Sequence, residues 1–265
     1  MAAVAVPAMW VDRNIVQEDG FVALTAPLGR DPAFQQRLAA AAVNGFSSDQ
    51  IPEAIVQLIR PVLEDAAQSL TGLPGYPEAW TETLRKSHQL SFVDPNSLPA
   101  EMQGASSLTL DVAPLVGLVA KRVAEATSLP LESPEQVLIT IGQPKQRQVV
   151  EQVSAYAPMG YAVAVGSAIA FVLALVAARR RWTVLAGAGA GALILSGVWT
   201  LAADAVGRAV EGMSSGNAMA EIFKREFVAA STAGFGQWNL AAAVTGAVLL
   251  VLGIVLRALG GLHRP

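Results

Sequence analysis

The sequence predicts a mostly α-helical membrane protein with three complete transmembrane helices and a small extracytoplasmic α+β domain. Three observations predict it. Apolar residues make up 53% of the chain and charged residues only 15%, against about 25% charged in ordinary soluble domains. The charge is unevenly spread: residues up to 152 read as water-facing, and residues 153–265 are mostly apolar with charges gathered in short clusters. The second half also contains three stretches without a charged residue, at 153–178, 182–203 and 227–256.

A hydrocarbon layer of roughly 30 Å is crossed by about 20 helical residues. The spans are therefore expected at about 158–178, 182–203 and 238–256. Tyr156 and Tyr161 open the first and Trp182 opens the second, positions where aromatic rings settle at the membrane–water interface. Burial of the same stretches inside a soluble fold is disfavoured, because the chain has too little amphipathic material to wrap three fully apolar helices.

Basic residues set the expected direction. Arg179, Arg180 and Arg181 join the first two spans, and Arg257 and Arg264 follow the third with His263. Such clusters resist translocation and stay cytoplasmic. Residues 12–152 and the amphipathic segment 204–226 are then outside the cytoplasm, the latter as a pair of short helices lying along the outer surface, broken at Gly212 and Ser214-Ser215-Gly216. An external domain this early needs something to export it. Met1–Val11 is apolar but too short to span, and is expected to be the remnant of an N-terminal fourth span. The alternative is that the first complete span exports what precedes it. The domain plan is thus 1–11, a transmembrane remnant; 12–152, an extracytoplasmic domain; and 153–265, the membrane domain.

Within 12–152, Asp31-Pro32 reads as an N-cap followed by proline at the first helical position, opening a helix that ends near Asn44-Gly45. A second helix is expected over about Ser48–Leu70. A third, about Pro77–Gln89, carries Trp80 and Leu84 one turn apart. Ser107–Val112 and Gln136–Ile141 alternate as strands do and flank a helix from Pro114 to about Thr127. A last helix, Lys145–Tyr156, runs into the first span.

Several function classes lose support. Asp12 to Glu151 carries 17 acidic and 10 basic residues, which offers no basic surface for nucleic acid. Cysteine is absent, excluding disulfides, thiolate nucleophiles and Cys-ligated metals. The spans hold no ionisable residue at depth, which argues against a pump or channel. His88 is expected to be structural and Asp111 to cap the following helix. No P-loop, HExxH or Ser/His/Asp pattern occurs, so no catalytic, cofactor or metal residues are nominated. Gly187, Gly189 and Gly191, extended by Gly197, read as a close helix-packing surface, with the first span as the expected neighbour because only three arginines separate the two.

Trp10, Val16–Phe21 with Asp19, Ala26-Pro27-Leu28, Asp31-Pro32-Ala33 with Gln35 or Gln36, Leu108–Val112 with Asp111, Val137–Ile141 and the arginine-joined spans together resemble a family of uncharacterised actinobacterial multi-pass membrane proteins. The resemblance implies one N-terminal span, an external α+β domain and three further spans; this chain departs by lacking most of the first. It implies no catalytic or ligand residues. The expected function is a non-enzymatic cell-envelope protein presenting an external domain for assembly or partner binding. Its expected partners are membrane lipids and a membrane protein or second copy. The alternative is a lipid or small-ligand carrier or sensor, with a groove between domain and spans. An envelope hydrolase would need a polar cleft with converging carboxylates or a Ser/His pair, for which His88 is the one histidine that could take part.

Overall fold

The structure is a computed structural model that describes residues 2–37, 72–92, 109–127, 135–140, 146–213 and 218–261. The expected helix at Ser48–Leu70, the Asn44-Gly45 helix end and the tail with His263 and Arg264 lie outside them. Described elements run in the order α1 (Ala2–Val11), a π-helical turn (Asp12–Val16), α2 (Glu18–Thr25), a 3-10 turn (Ala26–Arg30), a helical run at 32–37, α3 (Tyr76–Phe92), β1 (Thr109–Asp111), α4 (Ala113–Thr127), β2 (Leu138–Thr140), α5 (Gln146–Tyr156), α6 (Met159–Ala177), α7 (Arg181–Glu211) and α8 (Ala218–Gly261).

The described chain is mostly helical, and three helices are long and apolar enough to cross a membrane: Glu151–Ala177, Arg181–Glu211 and Ala218–Leu259. Their surfaces fit that reading. Val165, Ile169, Leu173 and Val176 on α6 are more than half exposed, as are Ile194, Val198 and Leu201 on α7 and Leu240, Val244, Val248 and Val251 on α8. Contiguous apolar surface of this kind is rare on water-soluble monomers. The end of α5 runs on into the first of these three helices as expected, with a two-residue turn at Ala157-Pro158, where proline cannot donate a backbone bond. Ala178, extended at φ −74° and ψ 124°, ends α6, and a turn through Arg179 and Arg180 leads into α7.

The chain divides into two compact units. A span unit holds Met1–Arg13, Ala155–Val210 and Ser231–Pro265; a mixed unit holds Asn14–Ser154 and Glu211–Ala230. The segment 204–226 is not a pair of separate surface helices. Its first part prolongs α7 to Glu211 and its last part opens α8 at Ala218, because no proline interrupts either stretch. Of the apolar stripe expected there, Ile222 and Phe223 pack inside the mixed unit, with Ala220 buried and Phe227 against the same core, whereas Val206 and Met213 are exposed.

That core is built on α3. Tyr76, Trp80, Thr83, Leu84, Ser87 and His88 are its buried face, spaced three or four apart as one helical stripe requires. Phe34, Leu115 and Phe223 complete the cluster. Phe34 meets Trp80 edge-on at 5.6 Å. Gly29 lies so close that a Cβ there would sit 2.6 Å from Trp80 Cγ. Asp31 caps the next helical run as expected, its Oδ1 accepting from Ala33 N at 2.8 Å and Phe34 N at 3.3 Å. The two expected strands pair antiparallel, with Leu110 opposite Ile139, but each is only three residues long.

Candidate functional site

Two places gather the residues that chemistry could use. The first surrounds His88 in the mixed unit. The α3 stripe carries the imidazole inward until it is 5% exposed. There His88 Nε2 lies 3.0 Å from the carbonyl of Ile15 in the π-helical turn, so the neutral ring donates through that nitrogen. Phe92 stacks on it at 4.3 Å and Phe21 lies 5.1 Å away. Burial pushes the His88 pKa below its usual value, opposed by the Ile15 hydrogen bond and the nearby Glu18 charge. Glu18 is itself engaged, accepting from Gln89 Nε2 at 2.9 Å. About three turns of helix earlier on the same face, burial pushes the Tyr76 phenol up to about 12, partly offset by its hydrogen bond with Gln35.

Asp111 is 2% exposed beside the same helix. Its backbone N–H donates to Ser87 Oγ at 2.9 Å, and its Oδ1 accepts from Ala113 N at 3.0 Å and Val137 N at 3.1 Å. One carboxylate therefore satisfies the first turn of α4 and an N–H of the segment entering β2, which is the capping role expected of it. His88 Nε2 joins α3 to the π-helical turn, and the Asp111 N–H and Oδ1 join β1 to α3, α4 and the approach to β2. Among the described residues no group of three His, Asp or Glu side chains could hold a metal ion.

The second place is the seam between α7 and α8 in the span unit. The helices run antiparallel. Gly253 lies against Ala186, Gly189 against Gly246 and Leu250, and Gly246 against Ala192. A Cβ on Gly189 would sit 2.5 Å from the Gly246 carbonyl oxygen and 2.8 Å from Leu250 Cα. At one end Asn239 Nδ2 donates to Ser196 O and to Thr200 Oγ1, both at 2.9 Å. At the other, the Arg257 guanidinium lies over the Trp182 ring at 4.9 Å. α1 joins the same unit: Trp199 Nε1 donates to Ala3 O at 2.9 Å, Trp10 meets Phe235 edge-on at 5.7 Å, and a Cβ on Gly160 of α6 would sit 2.8 Å from the Ala8 Cβ.

Of the four glycines expected to pack helices, Gly189 is in close contact, while Gly187, Gly191 and Gly197 have nothing within 4 Å of where a Cβ would lie. The neighbour of Gly189 is α8, not α6 as its short connection to the first span suggests. A short connector makes two helices sequence neighbours but does not choose which faces meet. Gly246 and Gly253 supply the complementary small-residue face. The four arginines expected to set direction fall at one end: Arg179 and Arg180 form the turn before α7, Arg181 opens it, and Arg257 reaches Trp182 beside them. Asn239 was not legible as a seam residue, since one amide in an apolar run gives no partner; Ser196 and Thr200, four apart, are its only sequence trace. Comparison with protein-family models, curated proteins and solved structures yields no match.

Proposed function

We propose that the chain is a multi-pass protein of the cell envelope whose mixed unit lies outside the cytoplasm and serves as a folded platform for assembly or partner binding, without chemistry of its own. The observation that carries this reading is how two buried ionisable side chains of the mixed unit are used. His88 and Asp111 are each committed to backbone groups of neighbouring elements, as befits a scaffold. The arginines gathered at one end of the span unit favour the direction, since that end resists translocation.

The absence of cysteine makes the direction directly testable. A Lys121→Cys variant, exposed on α4, is expected to react with a membrane-impermeant maleimide on intact cells; protection until lysis overturns the external assignment. Affinity purification in mild detergent is expected to recover one stoichiometric partner or a second copy. A clean monomer refutes the platform role.

A further inference from the structure

We propose that the arginine-bearing end of the span unit binds the phosphate of an anionic phospholipid headgroup. Arg179, Arg180 and Arg181 are consecutive and exposed where α6 gives way to α7. Arg257 is held at the same end by its contact with Trp182. Among the described residues none of the four pairs with a carboxylate, whereas Arg37, Arg85 and Lys224 of the mixed unit do. Four unneutralised guanidiniums thus stand at the ends of the charge-free stretches 153–178, 182–203 and 227–256, the depth at which lipid phosphates lie. The planar guanidinium fork matches a phosphate with two parallel hydrogen bonds, and Trp182 is a side chain that settles in the headgroup layer.

The neighbouring surface selects a lipid over a free phosphate ion. Val176 is 72% exposed on the last turn of α6, and Leu252, Leu256 and Leu259 are about half exposed on α8. Acyl chains can lie along these side chains while the headgroup meets the arginines; an inorganic anion gains nothing from them. The inference rests on the reading that the three helices cross a bilayer.

The test uses the full chain in phosphatidylcholine vesicles with phosphatidylglycerol as the minority component, extracted in mild detergent, with retained lipid quantified by mass spectrometry. The wild type is expected to retain phosphatidylglycerol above its bulk share. The triple variant Arg179→Gln/Arg180→Gln/Arg181→Gln is expected to lose that enrichment by about fivefold per arginine removed, and the matching Lys triple to keep most of it. Bulk-ratio lipid on the wild type, or undiminished enrichment in the Gln triple, overturns the site. Displacement of the lipid by added inorganic phosphate overturns the lipid assignment in favour of a small-anion site. Alkaline carbonate separates the two levels: release of the wild type from the vesicles refutes the membrane reading itself, whereas a retained protein without lipid preference refutes only the site.

Discussion

In the span unit the closest approaches are between backbones, and in the mixed unit they are between rings. Gly189, Gly246 and Gly253 let α7 and α8 meet with little side-chain volume between them. The mixed unit instead surrounds Trp80 with Phe34, Tyr76, Leu84 and Leu115. The proposed lipid setting of the three apolar helices accounts for the difference. Water drives large apolar side chains together at about 25 cal/mol per Å² buried, so an aromatic core is the efficient way to hold the mixed unit. Lipid tails are as apolar as leucine and supply no such force; helices there associate by close backbone packing and a few interhelical hydrogen bonds. Asn239 with Ser196 and Thr200 is such a bond set. Even Gly29 of the mixed unit, which is in very close contact, approaches a ring rather than a backbone.

The comparison can be broken from either side. The largest effect is expected from Trp80→Ala, which removes the fully buried centre of the aromatic cluster and should cost about 3–5 kcal/mol; protease resistance of the mixed unit in detergent reads it, and survival at wild-type level would mean the rings are not what holds that unit. Next comes a pair on one helix. Gly189→Ala should destabilise the α7–α8 pairing by about 1–3 kcal/mol, because the added methyl meets backbone atoms that cannot turn aside. Gly191→Ala meets open space and should be neutral or stabilising by up to about 1 kcal/mol through helix propensity. Thermal unfolding of both variants in detergent is the check, and equal effects would refute the glycine seam.

Asn239→Ala should cost about 0.6–2 kcal/mol, the range for interhelical hydrogen bonds in membranes, measured in the same assay. The smallest effect concerns pH. The unfolded His88 takes up its proton near pH 6.5, while burial holds the folded pKa lower. Unfolding therefore binds a proton between those two values, so the contribution is full above about pH 6.5 and declines as pH falls toward the folded pKa. Melting temperatures from pH 7.5 down to 5 should show a drop in the wild type that is reduced in His88→Gln. An identical drop in both would remove His88 as its source.

The three long apolar helices, the Asp31 and Asp111 caps and the two short strands were legible in the sequence, because each follows from local composition, periodicity or the hydrogen-bonding reach of one side chain. The sequence also placed Trp80 and Leu84 on one buried face. Only the tertiary structure decided which glycine of α7 is an interface, since Gly187, Gly189 and Gly191 are alike in sequence and differ only in which of them meets α8. It also decided that the stripe at 218–227 belongs to long helix α8 and packs in the mixed unit, and that His88 answers a carbonyl 73 positions away. Local pattern specifies what a segment buries. The partner it buries against depends on complementary shape elsewhere in the chain, and no single window of sequence contains that shape.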